Sequence, residues 1–156
     1  MDTAKEFANY IVAKCIDDKE YISNLQLQKI LYLVQIAFYQ KLDRPAFFDD
    51  IEAWNFGPVV QNVYYKWCGV GAMPIDIAPK MTLPSKLERA IIDPIVEKAR
   101  AMKPWDLAEV VLRENGPWAK AYNAREECDV ALPAYLKYPV ISSNLFANAK
   151  IDWTVS

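Results

Sequence analysis

Residues 22–41 read Ile22-Ser23-Asn24-Leu25-Gln26-Leu27-Gln28-Lys29-Ile30-Leu31-Tyr32-Leu33-Val34-Gln35-Ile36-Ala37-Phe38-Tyr39-Gln40-Lys41, and this stretch decides the fold. Ser23 followed three residues later by Gln26 is a capping box. The hydroxyl and the amide satisfy backbone donors at a helix start that have no partner inside the helix. Ile22 and Leu27 occupy the two positions of a hydrophobic staple. Leu27, Ile30, Leu31, Val34 and Phe38 then recur at helical spacing, and Leu33 and Ala37 widen the stripe. A helix apolar over so much of its circumference is central and mostly buried, and it runs to about residue 41. Gln28, Lys29 and Gln35 are its polar interruptions. Lys29, in mid-stripe, is expected to lay its stem along an apolar wall and send its ammonium to water. A paired, partly buried ammonium is the second reading.

Upstream, Thr3-Ala4-Lys5-Glu6 is another capping box, and Phe7, Ala8, Ile11, Val12 and Cys15 form the stripe of a helix over about 3–17. Asp17-Asp18-Lys19-Glu20 reads as a solvated turn. Downstream, Ile51–Trp54 reads as a short strand after the aromatic and acidic run Phe47-Phe48-Asp49-Asp50. Asn55-Phe56-Gly57-Pro58 reads as a helix start, because proline suits the first helical position. Val59, Val60, Val63, Tyr64 and Trp67 continue at helical spacing up to Cys68-Gly69-Val70-Gly71. Residues 69–84 form a loop with an extended piece at 75–77. Ser85-x-x-Glu88 opens the next helix, whose stripe is Leu87, Ile91, Ile95, Ala99 and Met102, with Pro94 expected to kink or split it. Lys103-Pro104-Trp105 restarts a helix to about Glu114, Asn115-Gly116-Pro117-Trp118 turns into another near 117–124, and a last short one spans 142–149. Pro133 and Pro139 break up the tail. The fold class is mainly α: a compact single-domain bundle of about six or seven helices over 1–156. One short strand pair is expected near 51–54 and 75–77, and the tail is irregular from about 150.

Composition narrows the chemistry. The 156 residues include no histidine, so triads and dyads built on histidine, and His-containing zinc sites, are excluded. Cys15, Cys68 and Cys128 lie 53 and 60 residues apart, without a C-x-x-C pair, and read as reduced thiols, with Cys15 and Cys68 in helix cores. Eighteen basic against twenty acidic residues leave a charge of −2, so direct nucleic-acid binding is not expected. Gly69-Val70-Gly71 lacks the remainder of a phosphate loop. The first residues carry no signal peptide, and no apolar run approaches the ~20 residues of a membrane span, so the expected location is the cytoplasm. No cofactor, metal or catalytic set is expected.

Two clusters can carry function. Asp49, Asp50 and Glu52 read first as a solvated face and second as the rim of a binding surface; acid–base or divalent-cation chemistry is the weakest reading. Aromatic residues make up 13% of the chain, too many for every indole and phenol to find a buried partner. Trp54 and Phe56, next to the acidic residues, are the candidate anchors of a protein-binding patch.

Three blocks resemble one family. Ile22–Gln35 resembles the signature helix of the SocA-like antitoxins, also called the Panacea domain. Ile51-Glu52-Ala53-Trp54-Asn55-Phe56-Gly57-Pro58-Val59-Val60, followed by Val63-Tyr64, is similar to its second block. Leu107, then Glu114-Asn115-Gly116-Pro117-Trp118 with Ala121, is similar to its third. The motif positions are Leu27, Gln28, Lys29, Gly57, Pro58, Tyr64 and Trp118, each with a ready structural reason. The resemblance implies a small helical antitoxin, often phage-associated, that binds and neutralises a co-encoded toxin. It implies no catalytic residue. One type of member delivers its toxin to a protease, so a protease adaptor or an accessory interaction module of a mobile element is the alternative. A homodimer is compatible with the aromatic excess.

Overall fold

The computed structural model describes residues 3–126 and 138–156. The expected helix is α2, Asn24–Leu42, and the whole chain is arranged around it. Its capping box is complete. The Gln26 N–H donates to Ser23 Oγ at 3.2 Å, and the Ser23 N–H donates to Gln26 Oε1 at 2.8 Å. Leu27, Ile30, Leu31, Val34 and Phe38 are all fully buried. Packed on α2 are α1 (Ala4–Asp17), α3 (Gln61–Trp67), α4 (Lys86–Ala101), α5 (Pro104–Val111) and α7 (Ser143–Ala147). α6, Pro117–Glu126, packs on α7 and on the small sheet. The molecule is mainly α, with seven helices among the described residues. Phe7 of α1 meets Phe38 edge-on at 5.5 Å between ring centroids and Phe47 at 5.8 Å, which seats the loop after α2 on the core. Among the described residues no helix is long and apolar enough to cross a membrane.

The sheet differs from expectation. β1, Glu52–Trp54, pairs antiparallel with β2, Gly57–Val59, in a hairpin closed by Asn55 and Phe56, and residues 75–77 are not a strand. Ile75 is instead buried, its N–H donating to the Ile22 carbonyl at 2.8 Å. Pro58 therefore does not begin a helix; it faces Ala53 across the hairpin. The Ala53 N–H points the other way, to the Pro139 carbonyl at 2.8 Å. Ala53 and Pro58 are thus a pair without ladder hydrogen bonds, so the N–H that proline lacks would have faced away from β1. The helix that follows starts at Gln61.

α4 runs unbroken through Pro94. Both Pro94 and Ala90, whose carbonyl loses its helical partner, are exposed, so water can serve that oxygen. Leu87 lies off the buried stripe and is exposed; Ile92 and Val96 fill it instead. Cys15 is buried as expected, but Cys68 is exposed in a short 3₁₀ turn, its thiol donating to the Tyr65 carbonyl at 3.2 Å. Asp18 is no mere solvated turn residue: it accepts from Arg100 Nη1 at 2.8 Å and Lys14 Nζ at 3.0 Å, tying α1 to α4. Cys128 and Pro133 lie outside the described residues.

Candidate functional site

The polar interruptions of α2 are clamps. Gln28 is buried; its Nε2 donates to Asn24 Oδ1 at 3.0 Å, and its Oε1 accepts the Val60 N–H at 2.9 Å. Asn24 in turn donates to the Tyr64 carbonyl at 2.9 Å. Val60 is the N-cap of α3 and offers no side-chain oxygen, so Gln28 and Asn24 hold the start and middle of α3 from α2. Gln35 does the same one loop earlier, accepting from the Ala46 N–H at 2.8 Å and donating to the Phe47 carbonyl at 3.0 Å. An amide inside an apolar helical stripe was the visible sign of these clamps, and their partners were not.

Tyr32 reaches further along the chain. Its buried hydroxyl accepts the Trp118 N–H at 3.1 Å, capping the first turn of α6, and burial pushes its pKa well up. The Trp118 indole N–H donates to the Trp54 carbonyl at 2.9 Å, and its ring stacks on Tyr122 with centroids 4.8 Å apart. Gly116 must be small here, because an added Cβ would meet the Arg113 carbonyl at 3.2 Å and the Tyr32 hydroxyl at 3.4 Å. Gly57 must be glycine for another reason: its φ is +139°, a region that side chains strain to adopt. The end of the Lys29 stem lies against it, with Cε 3.8 Å and Nζ 4.0 Å from where a Cβ would stand, and Leu112 lies 3.8 Å away. Gln28, Lys29, Gly57, Pro58, Tyr64 and Trp118, chosen on sequence as separate motif positions, thus lie at a single junction of α2, the hairpin, α3 and the start of α6, while Leu27 is fully buried in α2.

The outside of this junction is aromatic. Trp54 stacks on Tyr138 at 4.9 Å and meets Phe56 at 5.6 Å and Tyr64 at 5.3 Å; Tyr64 meets Tyr65 at 5.5 Å. Trp54 and Tyr64 are half-buried, whereas Phe56 and Tyr65 are exposed at 37% and 57%, so the row of rings ends in solvent. Lys29 is half-buried against Gly57 and has no hydrogen bond or ion pair among the described residues, and burial alone lowers its pKa. Its stem lies against the hairpin as expected, and the ammonium lacks the ion-pair partner of the second reading among the described residues.

The three acids are less alike than their spacing implied. Asp49 caps α1, accepting the Ala4 N–H at 2.7 Å, and accepts from Asn62 Nδ2 at 3.0 Å. Glu52 accepts from the Trp54 indole at 2.8 Å and from Gln61 Nε2 at 2.8 and 2.9 Å. Asp50 is exposed and lines an open pocket with Asp49, Glu52, Gln61 and Asn62. Asp49 is therefore occupied in holding α1 and α3, Glu52 in bracing the hairpin against α3, and Asp50 is left exposed. Among the described residues no three Cys, Asp or Glu side chains gather as a metal ion would require. Phe48, read on sequence as part of the aromatic run beside the acids, is exposed at 81% and adds an apolar tip.

The family model described as antitoxin SocA-like, Panacea domain, matches residues 27–119. The matched span runs from the first buried leucine of α2 to the first turn of α6 and so contains this junction. No curated protein and no solved structure matches the chain.

Proposed function

The chain belongs to the SocA-like antitoxin family defined by the Panacea domain, and from that premise we propose that it neutralises a co-encoded toxin by direct protein–protein binding. The observation that carries the reading is the family match itself, because the matched span builds a face whose rings end in solvent. Exposed aromatic anchors beside a polar rim are the usual make-up of an energetic interface centre. Phe56 and Tyr65 are the anchors in this reading, Trp54 and Tyr64 brace them from behind, and Asp50 is the free acid of the rim. Asp49 acts by tying α1 to α3, and Glu52 by holding the hairpin in shape. A predominantly basic toxin face fits such a rim. The chain works as one binding unit, without catalysis, in the compartment where its toxin acts.

Co-expression tests the reading. The neighbouring reading frame expressed alone should arrest growth, and this chain should relieve the arrest. No arrest, or arrest that persists, removes the antitoxin reading. Given a complex, Phe56→Ser with Tyr65→Ser should weaken binding by at least about tenfold, about 1.4 kcal/mol, with the melting temperature unchanged. Asp50→Ala should slow association and flatten its salt dependence. Unaltered affinity in the double variant would move the contact surface elsewhere on the molecule.

A further inference from the structure

Lys29 is the feature of the junction that its folding does not explain. The other polar side chains of α2 that face the hairpin and α3 are bonded: Gln28 to Asn24 and Val60, Asn24 to Tyr64 and Tyr32 to Trp118. Lys29 lies among them, half-buried, its Cε and Nζ against Gly57, with no partner among the described residues. A partly desolvated ammonium without a counter-charge costs free energy, and a methionine of similar length would fill the same space without that cost. Gly57, against which the stem ends, directly follows the exposed Phe56 in the hairpin, so a surface arriving on that hairpin would remove more of the ammonium's water.

We propose that the Lys29 ammonium is the receiving point for a single carboxylate carried by a protein partner. The proposal rests on reading this junction as the partner-binding face, but its test needs no partner. One ammonium matches one negative charge. A dianionic phosphate would call for a second cation, and residues 52–59 of the hairpin supply none, Glu52 being their charged side chain. A carboxylate buried against Lys29 gains a charge-assisted hydrogen bond in a site that is already partly desolvated. It also fixes the partner's register: the partner is basic overall opposite Asp50 and carries one acid in a set place.

The experiment uses the full chain labelled with ¹³C-lysine, with the Lys29 Cε signal identified by its loss in Lys29→Met. Sodium acetate and inorganic phosphate are titrated at constant pH and ionic strength. The expected result is a Lys29 signal that moves to half-saturation at a tenfold or more lower acetate concentration than the other lysines, with phosphate less effective. Lys29→Met should melt at the same temperature as the wild type or higher. Three results overturn the proposal. A Lys29 response like that of the other lysines means that the amine serves only to reach water. A preference for phosphate removes the carboxylate. A lower melting temperature for Lys29→Met means that the ammonium has a structural partner.

Discussion

Two regions packed against α2 treat charge in opposite ways. Between α1 and α4, charges are matched within the chain: Asp18 takes Arg100 and Lys14, Lys14 also takes Glu97 at 3.1 Å, and Tyr10 donates to Asp93 at 2.6 Å. Between α2, the hairpin and α6, the segments are joined by neutral groups, and the lysine is left unpaired among the described residues. The first seam is finished when the chain folds. The second is stable through its amides and hydroxyl yet keeps a charge and two rings uncommitted. On the function proposed here, that uncommitted cation and those rings are what an arriving partner would meet.

That contrast predicts an order of effects. Trp118→Ala breaks the junction most deeply, because it removes a ring only 8% exposed and its bond to the hairpin. A loss of about 3–5 kcal/mol is expected in denaturant unfolding. Gln28→Leu keeps the volume but strands the buried Val60 N–H. About 1–3 kcal/mol should be lost, and amide exchange should rise in α3 rather than in α1. Equal exchange in both helices would show that the two regions are not separate.

Asp18→Asn sharpens the other side of the contrast and should do least, about 0.2–1 kcal/mol, since the pair is partly exposed and salt screens it. The Arg100 hydrogen bond, with Lys14 second, holds the Asp18 carboxyl below the usual carboxylate range. A depressed folded pKa stabilises above the unfolded value and is lost as pH falls through the folded one. The gap between wild type and Asp18→Asn should therefore be full at neutral pH and close below about pH 4. A gap that persists in acid would mean that the ion pair is not its source.

Chemistry completed within one turn was legible in the sequence. The Ser23 and Ser85 capping boxes bond across three residues and form as read, whereas at Thr3 only the hydroxyl caps the helix and the Glu6 carboxylate accepts from that hydroxyl instead of the backbone. The apolar stripe of α2 also forms as read, because periodicity is local. Chemistry completed across the fold was not. Pro58 suits a helix start and an edge strand equally well, and only the pairing of β1 on both its sides decides between them. Asp18 looked solvated because its guanidinium partner lies 82 residues away. Gln28 and Gln35 showed as interruptions, with nothing to say which loop each would hold. Of the candidate site, Trp54 and Phe56 were named from their neighbourhood; Tyr65 and the bonding of Glu52 needed coordinates.

The Tyr32 cap on α6 also has a consequence in time. The two residues are 86 positions apart, so at roughly 5–20 residues per second of synthesis the hydroxyl is made roughly 4–17 s before the N–H it will accept. During that interval α2 and the hairpin can already form, while the wall that α6 supplies has no residues yet. A protein that recognises the finished junction meets it only after residue 118 has left the ribosome, so the nascent chain cannot engage such a partner early.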